Sequence, residues 1–319
     1  MSGNTYAGNA QHLLLDAASA GFVGSLVVTA ILSQGAVPEW KETAGRLVAA
    51  GGCYLLVSNL TRRFTKGVVR VAVTSASTLL LYSFLFQAIA GFQHVLVPGW
   101  MDSRLIAWET ALTGSESTLL FQKITTPILT EWMMFAYVVY VPLLPLIVIL
   151  CFAGGGEKGA YDFILHFALV NIICNWGFML FPVAGPLFYD ATQYTVPLHG
   201  GLFTWCGEWM RSNVHYPGGS LPSPHCADAT VMIVMLYRYN RKAFAVLIVP
   251  LASIYASTVY GRFHYSWDVA AGIAAGIAAL KASPALERLS ERAASTLRGL
   301  LTTGQATGAA AGALQEERP

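Results

Sequence analysis

The distribution of apolar residues along the chain constrains its fold more than any other feature. Eight stretches are apolar for most of their length, and polar or Gly/Pro-containing segments separate them. Because a helix that crosses a bilayer needs about 20 mostly apolar residues, we interpret these stretches as membrane-spanning helices. They run from Leu13 to Leu32, Ala44 to Leu60, Val68 to Ile89, Leu129 to Phe152, Tyr161 to Phe181, Ala227 to Tyr239, Ala243 to Tyr260 and Tyr265 to Leu280.

The overall composition agrees with this interpretation. Hydrophobic residues make up 55% of the chain and charged residues only 11%, whereas an ordinary soluble domain has about 25% charged residues. The formal net charge of +2 is too small to suggest nucleic acid as a partner. The sequence therefore predicts an all-α, polytopic membrane protein whose surroundings are membrane lipids.

We divide the chain into three parts. Residues 1–66 are predicted to form two N-terminal transmembrane helices, residues 67–282 a six-helix core, and residues 283–319 a cytoplasmic tail with a disordered Ala/Gly/Thr-rich end. Two long connections, from Gly91 to Pro127 and from Pro182 to Pro224, lie on one side of the predicted bundle. The first of them has the pattern of short helices that either lie in the membrane interface or pack over the bundle.

The positions of Lys and Arg predict the orientation. Basic residues concentrate in short cytoplasmic connections, and here they cluster in alternate connections and in the tail. This places both termini in the cytoplasm and the two long connections outside. Since no basic residue precedes Lys41, we expect the first apolar run to be a retained span and not a cleaved signal peptide, which favours a bacterial inner membrane.

The first chemically informative segment leads into the sixth predicted helix. His225 follows a turn-forming Gly/Pro stretch and stands at the helix mouth. Helix N-termini carry unpaired backbone N–H groups and a partial positive charge, and both features suit a phosphate. We therefore predict an anion site at His225, with Ser223 and Gly219 as further phosphate contacts.

The second segment contains a histidine and an aspartate four residues apart. On one helical face, Asp268 can accept a hydrogen bond from one nitrogen of His264. That bond fixes the tautomer and raises the basicity of the other nitrogen, as a nucleophilic histidine requires. We predict that His264 attacks phosphorus while a protonated His225 donates to the leaving oxygen.

These two segments resemble the motifs of a known family. The Pro-Ser-Pro-His sequence that ends at His225 resembles the Pro-Ser-Gly-His motif of the type 2 phosphatidic acid phosphatase superfamily. Ser257, His264 and Asp268 match the spacing of its last motif, in which a serine stands seven residues before the nucleophilic histidine and an aspartate four after it. The resemblance implies a six-helix membrane core, a lipid phosphate substrate, a phosphohistidine on His264, a substrate-binding role for Ser257, and no metal or other cofactor.

The chain also departs from the family pattern. Thr258 stands where the family has an arginine, and the family's first motif, with its lysine and Arg-Pro pair, has no counterpart. Cations must replace the missing ones if the phosphate oxygens are to be stabilised. Arg262 is our first candidate, because on a continuing helix it would lie one turn after Thr258, and Arg211 is the second.

A further resemblance points to one branch of the family. The Phe-Pro and Gly-Pro elements between Phe181 and Pro186 are similar to those of the inositol phosphorylceramide synthase branch. The similarity extends weakly to Asp102, Leu105 and Glu109. It implies head-group phosphotransfer to a lipid alcohol as an alternative to phosphatase activity.

Other interpretations stay open at this point. The two histidines could belong to a non-catalytic transporter or lipid-binding scaffold, or to a metal site formed by His225, His264 and Asp268 with His215 or Cys226. Cys206 and Cys226 could pair if the outer side is oxidising. Polar residues inside the predicted spans are interpreted as structural, namely Glu131, His166, Asn171 and Asn175.

Overall fold

The computed structural model describes residues 3–286 and residue 288, with side chains from residue 11 onward. Within this part of the chain the fold is entirely helical. The helices are α1 (Gly3–Leu32), α2 (Trp40–Phe64), α3 (Gly67–Ala88), α4 (Asp102–Thr113), α5 (Ser117–Gln122), α6 (Pro127–Val138), α7 (Tyr140–Leu180), α8 (Pro186–Tyr189), α9 (Leu202–Asn213), α10 (Pro224–Tyr239), α11 (Arg241–Tyr260) and α12 (Ser266–Leu286). The prediction of an all-α membrane bundle is confirmed.

Five of the described helices contain segments that are long and apolar enough to cross a membrane. They are Gln11–Leu32, Gly67–Phe92, Tyr140–Leu180, Arg241–Tyr260 and Ser266–Leu286. The remaining predicted spans also fall on helices, because α2 and α10 cover the second and sixth, and α6 with the start of α7 covers the fourth. The prediction of a disordered tail concerns residues outside the described part of the chain.

The helix α7 contains the end of the fourth predicted span and nearly all of the fifth, and it reverses between them. Gly156 has φ 62° and ψ −154°, which is outside the helical region. A Cβ atom on Gly159 would lie only 2.4 Å from the Cys151 carbonyl oxygen, so the chain folds back on itself at this point. The second half of α7 is buried along most of its length and forms the centre of the bundle, where it contacts α1, α3 and α10.

Two glycines allow α12 to pack closely on α10. A Cβ atom on Gly272 would lie 2.5 Å from the Ser223 carbonyl oxygen, and one on Gly276 would lie 2.7 Å from that of Ala227. Small residues four apart are a common means of bringing helix backbones together in membranes. The close packing places the N-terminal ends of α10 and α12 side by side.

A polar network joins the N-terminal helix pair to the core at the opposite end of the bundle. Within the pair, Arg62 on α2 lies 3.2 Å from the Asp16 carboxylate on α1. Between the pair and the core, the Gln11 amide donates to Asp162 on α7 at 2.5 Å. Lys158 and Arg238 also contact the Asp162 carboxylate, at 3.2 and 3.8 Å.

Candidate active site

The two histidine segments meet where α10 and α12 begin. His225 lies in the first turn of α10, His264 in the loop just before α12, and Asp268 in the first turn of α12. The ring centroids of the two histidines are 5.7 Å apart. The backbone N–H of Ser223 donates to the Asp268 carbonyl at 2.9 Å, which ties the two helix starts together.

A serine that the motifs did not indicate completes the contacts of His264. The Nδ1 atom of His264 lies 3.3 Å from Asp268 Oδ2 and 3.1 Å from Ser220 Oγ. Ser220 in turn donates to the same carboxylate oxygen at 2.6 Å. Because Nδ1 faces the serine and the aspartate, Nε2 of His264 is the nitrogen left for attack on an electrophile.

His225 is held mainly by aromatic rings. The Tyr137 ring stacks on it with centroids 4.7 Å apart and an interplanar angle of 22°, and the Tyr140 ring lies 4.4 Å away. The Nδ1 atom of His225 is buried and has no hydrogen-bond partner among the described residues. Its hydrogen-bonding capacity is thus free for a substrate oxygen.

Two guanidinium groups line the same cavity. Arg211 donates to the Gly261 carbonyl at 2.7 Å and pairs with Glu208 at 3.0 Å, while its buried Nε has no partner within the described part of the chain. Arg262 donates to the Val196 carbonyl and lies over the Tyr194 ring. Burial lowers the pKa of both arginines, but a guanidinium stays charged at neutral pH.

Arg262 reaches the cavity by a route other than the predicted one. The helix α11 ends at Tyr260, so Arg262 does not continue it but lies in the following turn with φ 63°. This left-handed conformation is unusual for a residue with a side chain. Arg262 is nevertheless among the residues that line the cavity of His225 and His264.

The cavity is small and enclosed. Its volume is about 40 Å³, and its lining residues include Tyr137, Arg211, His215, Tyr216, Gly219, Ser220, His225, Arg262 and His264. With two guanidiniums at its wall and the positive end of α10 beside it, the cavity suits a phosphate.

His215 adds a neutral group to the wall. Its Nε2 atom lies 2.8 Å from the Tyr137 hydroxyl. Burial, together with the neighbouring His264 and Arg211, lowers the pKa of His215 to about 4. His215 is therefore uncharged at neutral pH and contributes no cation to the site.

The long loops beside the cavity are held by carboxylates, among them the residues that carry the branch resemblance. Asp102 accepts from the backbone N–H groups of Ala184 and Gly185 at 2.8 and 2.9 Å, and from the Tyr265 hydroxyl at 3.1 Å. Burial raises the pKa of this carboxyl. Glu109 accepts from the Ser266 backbone N–H at 2.5 Å. Both carboxylates thus hold the loop before α8 and the start of α12 in place.

The structure does not bring every candidate to the cavity. Of the eight residues suggested by the sequence, His225, His264, Arg211, Arg262 and Gly219 line it, and Asp268 supports His264. Ser223 instead caps α10, because its hydroxyl accepts from the Cys226 backbone N–H at 3.5 Å. Ser257 is buried within α11 and donates to the Ile254 carbonyl at 2.9 Å.

The remaining alternatives can be compared with the geometry. All five cysteines lie in the described part of the chain and none is paired, so the suggested bond between Cys206 and Cys226 is absent. Among the described residues there is no group of three or more His, Cys, Asp or Glu side chains placed to hold a metal ion.

The fold and the site define a class of protein: a helical membrane protein with a small cavity lined by His225, His264 and two arginines. The chain matches the family model of the PAP2 superfamily over residues 103–282, which is more than half of its length. It therefore belongs to the PAP2 superfamily, whose membership supports a phosphoesterase acting on lipid phosphates. No curated protein and no solved structure matches the chain.

Proposed function

We propose that the chain is a lipid phosphate phosphatase or phosphotransferase that works through a covalent phosphohistidine on His264. One observation carries this proposal: Nδ1 of His264 is held by Asp268 and Ser220 at the wall of a cavity that two guanidiniums share. A nucleophile oriented by a carboxylate beside a cationic anion site is the arrangement that phosphoryl transfer requires. The resemblance of the motifs supports the same reaction.

In the first step, His264 Nε2 attacks phosphorus and the P–N bond forms as the ester P–O bond breaks. His225, in its protonated form, transfers its proton to the leaving oxygen, so the lipid leaves as a neutral alcohol. Arg211 and Arg262 balance the charge on the phosphoryl oxygens, which is where most of the catalytic stabilisation is expected. The buried Nε of Arg211 supplies one unused donor for this purpose.

In the second step, an acceptor hydroxyl attacks the phosphohistidine. Its proton passes to the neutral His225, the P–N bond breaks, and His264 is regenerated. Water as acceptor on a phosphohistidine formed from a lipid phosphate gives inorganic phosphate, and a lipid alcohol gives a new lipid phosphate. When the donor is a phosphodiester such as a phosphoinositide, diacylglycerol leaves and the head group stays on phosphorus, so that a lipid alcohol gives a phosphodiester of the kind that the inositol phosphorylceramide synthase branch makes. Neither step uses a metal or another cofactor in this proposal.

We further propose that the cavity opens on the extracytoplasmic side of a bacterial inner membrane. The support comes from charge, because the basic residues Arg62, Arg63, Lys66, Arg70, Lys158, Arg238, Arg241 and Lys242 all lie at the helix ends opposite the start of α10. Basic residues at membrane borders favour the cytoplasm. The orientation would leave both termini inside.

The test is a product assay with purified protein in detergent and EDTA. Lipid phosphates and phosphoinositides are supplied with and without diacylglycerol or ceramide, and inorganic phosphate and new phospholipid are measured together. Phosphate release identifies a phosphatase, and phospholipid without free phosphate identifies a transferase. His264→Ala should reduce either product to background, and His225→Ala should reduce it by at least about 100-fold.

His199→Ala is the matched control, because His199 is exposed in the outer loop and lies away from the cavity. It should retain wild-type activity. Full activity in His264→Ala would contradict the proposed nucleophile, and loss of wild-type activity with EDTA would contradict metal independence. A wild-type protein that is inactive on all of these substrates would favour the transporter or scaffold interpretation.

A further inference from the structure

A second cavity lies next to the cavity that His225 and His264 line, which we call the phosphate cavity. Its volume is about 280 Å³, and it is enclosed by α3, α7, the end of α9 with its following loop, and the start of α10. Its lining is mostly apolar and aromatic, with Phe86, Leu144 and Phe167 among its residues. We call it the membrane cavity.

The two cavities share a wall. Phe86, His215, Pro224 and His225 line both of them. The phosphate cavity contains Arg211 and Arg262, whereas the described lining of the membrane cavity contains no Lys, Arg, Asp or Glu side chain. His225, the proposed proton donor, thus separates a cationic compartment from an uncharged one.

The membrane cavity opens sideways, between α3 and α7. Ser83, Gln87 and Val141 at one end are exposed, whereas Tyr82 and Phe167 further in are buried. The exposed end is at the level of the outer helix termini, because Gln87 is next to the end of α3 and Val141 is near the start of α7. An apolar molecule could therefore enter from the lipid without crossing water.

We propose that the membrane cavity binds one hydrocarbon chain of a lipid alcohol, with the alcohol oxygen at His225. The proposal rests on the proposed function and adds to it the position of the substrate's apolar part. A phosphate ester has a charged group on one side of its ester oxygen and an uncharged chain on the other. The two cavities beside His225 match this arrangement, because one contains two arginines and the lining described for the other contains no charged side chain. The same position serves a leaving alcohol and an acceptor alcohol, since both exchange a proton with His225.

The size of the cavity limits what it can hold. The cavity has a volume of about 280 Å³, several times that of the neighbouring cavity at His264, and we infer that it takes a single hydrocarbon chain. The second chain of a two-chain lipid would stay in the bilayer.

The first experiment uses Leu144→Trp, which fills the membrane cavity from α7. The substrates are alkyl phosphates of increasing chain length and p-nitrophenyl phosphate, which has no chain. For the wild type, kcat/KM should rise with chain length and level off once the chain fills the cavity. Leu144→Trp should reduce kcat/KM for decyl phosphate at least tenfold, with less than a twofold change for p-nitrophenyl phosphate.

Ile149→Trp on the same helix is the matched control, because Ile149 is exposed and lies outside the cavity lining. It should show the wild-type chain-length dependence. If Leu144→Trp and Ile149→Trp hydrolyse decyl phosphate equally well, the proposal is overturned. Retained activity on p-nitrophenyl phosphate shows that Leu144→Trp is folded.

A binding measurement separates this proposal from the proposed function. A long-chain alcohol with a diazirine in its chain is photolysed with the protein, and the labelled peptides are identified by mass spectrometry. Labelling of α3 near Phe86 and of α7 near Leu144, reduced in Leu144→Trp, supports the cavity even if no phosphate ester is hydrolysed. Labelling that is spread over the lipid-facing helices and unaffected by the substitution contradicts it.

Discussion

At the scale of single residues, the site depends on a shared carboxylate oxygen. Asp268 Oδ2 accepts from Ser220 at 2.6 Å and from the Tyr265 backbone N–H at 2.9 Å, and it lies 3.3 Å from His264 Nδ1. The contacts from Ser220 and Tyr265 hold the carboxylate in the position from which it orients the imidazole. Ser220 is thus a positioning residue: in our account it touches the histidine and the aspartate but not the substrate phosphorus.

Removal of the Ser220 hydroxyl should weaken catalysis without changing substrate affinity. A single hydrogen bond contributes about 1 kcal/mol, so Ser220→Ala should lower kcat roughly fivefold to tenfold and leave KM within a factor of two. Ser220→Thr, which keeps the hydroxyl, should restore most of kcat. The measurement is steady-state kinetics on one substrate, with Ser212→Ala on the exposed face of α9 as control.

An increase in KM with unchanged kcat in Ser220→Ala would assign Ser220 to substrate binding. Equal losses in Ser220→Ala and Ser220→Thr would assign it to packing. Either result would contradict the positioning role.

At the scale of elements, each side of the site is supplied by a different segment. The packing of α12 on α10 brings Asp268 to His225, and the aromatic side of α6 and α7 fixes the His225 ring through Tyr137 and Tyr140. The loop after α9 adds His215, and the turn after α11 adds Arg262. A change in one loop can therefore alter the site while the helices remain in place.

The loop after α9 should make the fold sensitive to acid. His215 has a pKa of about 4 in the folded protein and 6.5 as its ordinary value. The folded state therefore binds a proton less readily than the unfolded state, and stability is lost as pH falls from 6.5 towards 4. Since His215 is partly exposed, the loss should be roughly 1 to 3 kcal/mol.

The measurement is thermal unfolding in detergent at pH 7 and pH 4.5. The apparent Tm of the wild type should be lower at pH 4.5 than at pH 7. The decrease should be smaller for His215→Gln, because glutamine does not titrate in this range. An equal fall in both proteins would show that other groups are responsible.

At the scale of the whole molecule, the bundle has two polar ends with different roles. The phosphate cavity lies at the end where α10 and α12 begin, and the network around Asp162 lies where α10 ends. Gln11 and Lys158 contact Asp162 from α1 and α7. This network fastens the N-terminal helices, which lie outside the matched family region, to the helices within it.

Asp162→Asn should reduce stability and leave catalysis intact. The substitution removes a buried negative charge that contacts two cations, so we expect a cost of roughly 1 to 3 kcal/mol. Thermal unfolding in detergent should show a Tm lower by several degrees, while kcat/KM of the folded protein changes less than twofold. Glu42→Gln removes the same charge from an exposed ion pair and should change Tm very little. An unchanged Tm in Asp162→Asn would contradict the fastening role.

The sequence predicted the helices and the histidine segments because both are encoded locally. Apolar runs determine the spans. The predicted contact between His264 and Asp268 forms, at 3.3 Å, although His264 lies before α12 and not on the helix. Ser220 has no such local signal, since its position at the carboxylate depends on how the loop before α10 folds over α12. The helical argument for Arg262 was wrong, because the end of α11 at Tyr260 could not be distinguished from its continuation in the sequence.

The aromatic residues beside His225 were missed for a related reason. Tyr137 and Tyr140 lie in an apolar run that reads only as a membrane span, and their contact with α10 depends on tertiary packing. Ser223 was predicted to bind phosphate, but it caps α10 and does not line the cavity. Family spacing places residues near a site without determining which way each side chain turns.

The central claim is a covalent bond between phosphorus and His264, and its detection is the most direct test. His225→Ala is mixed with p-nitrophenyl phosphate, whose good leaving group needs no proton, and the reaction is quenched in alkali, where phosphohistidine is stable. Because hydrolysis of the intermediate would be slowed without His225, mass spectrometry should find one phosphoryl group on the peptide that contains His264. A phosphoryl group on another residue, or none while p-nitrophenol is released, would contradict the account.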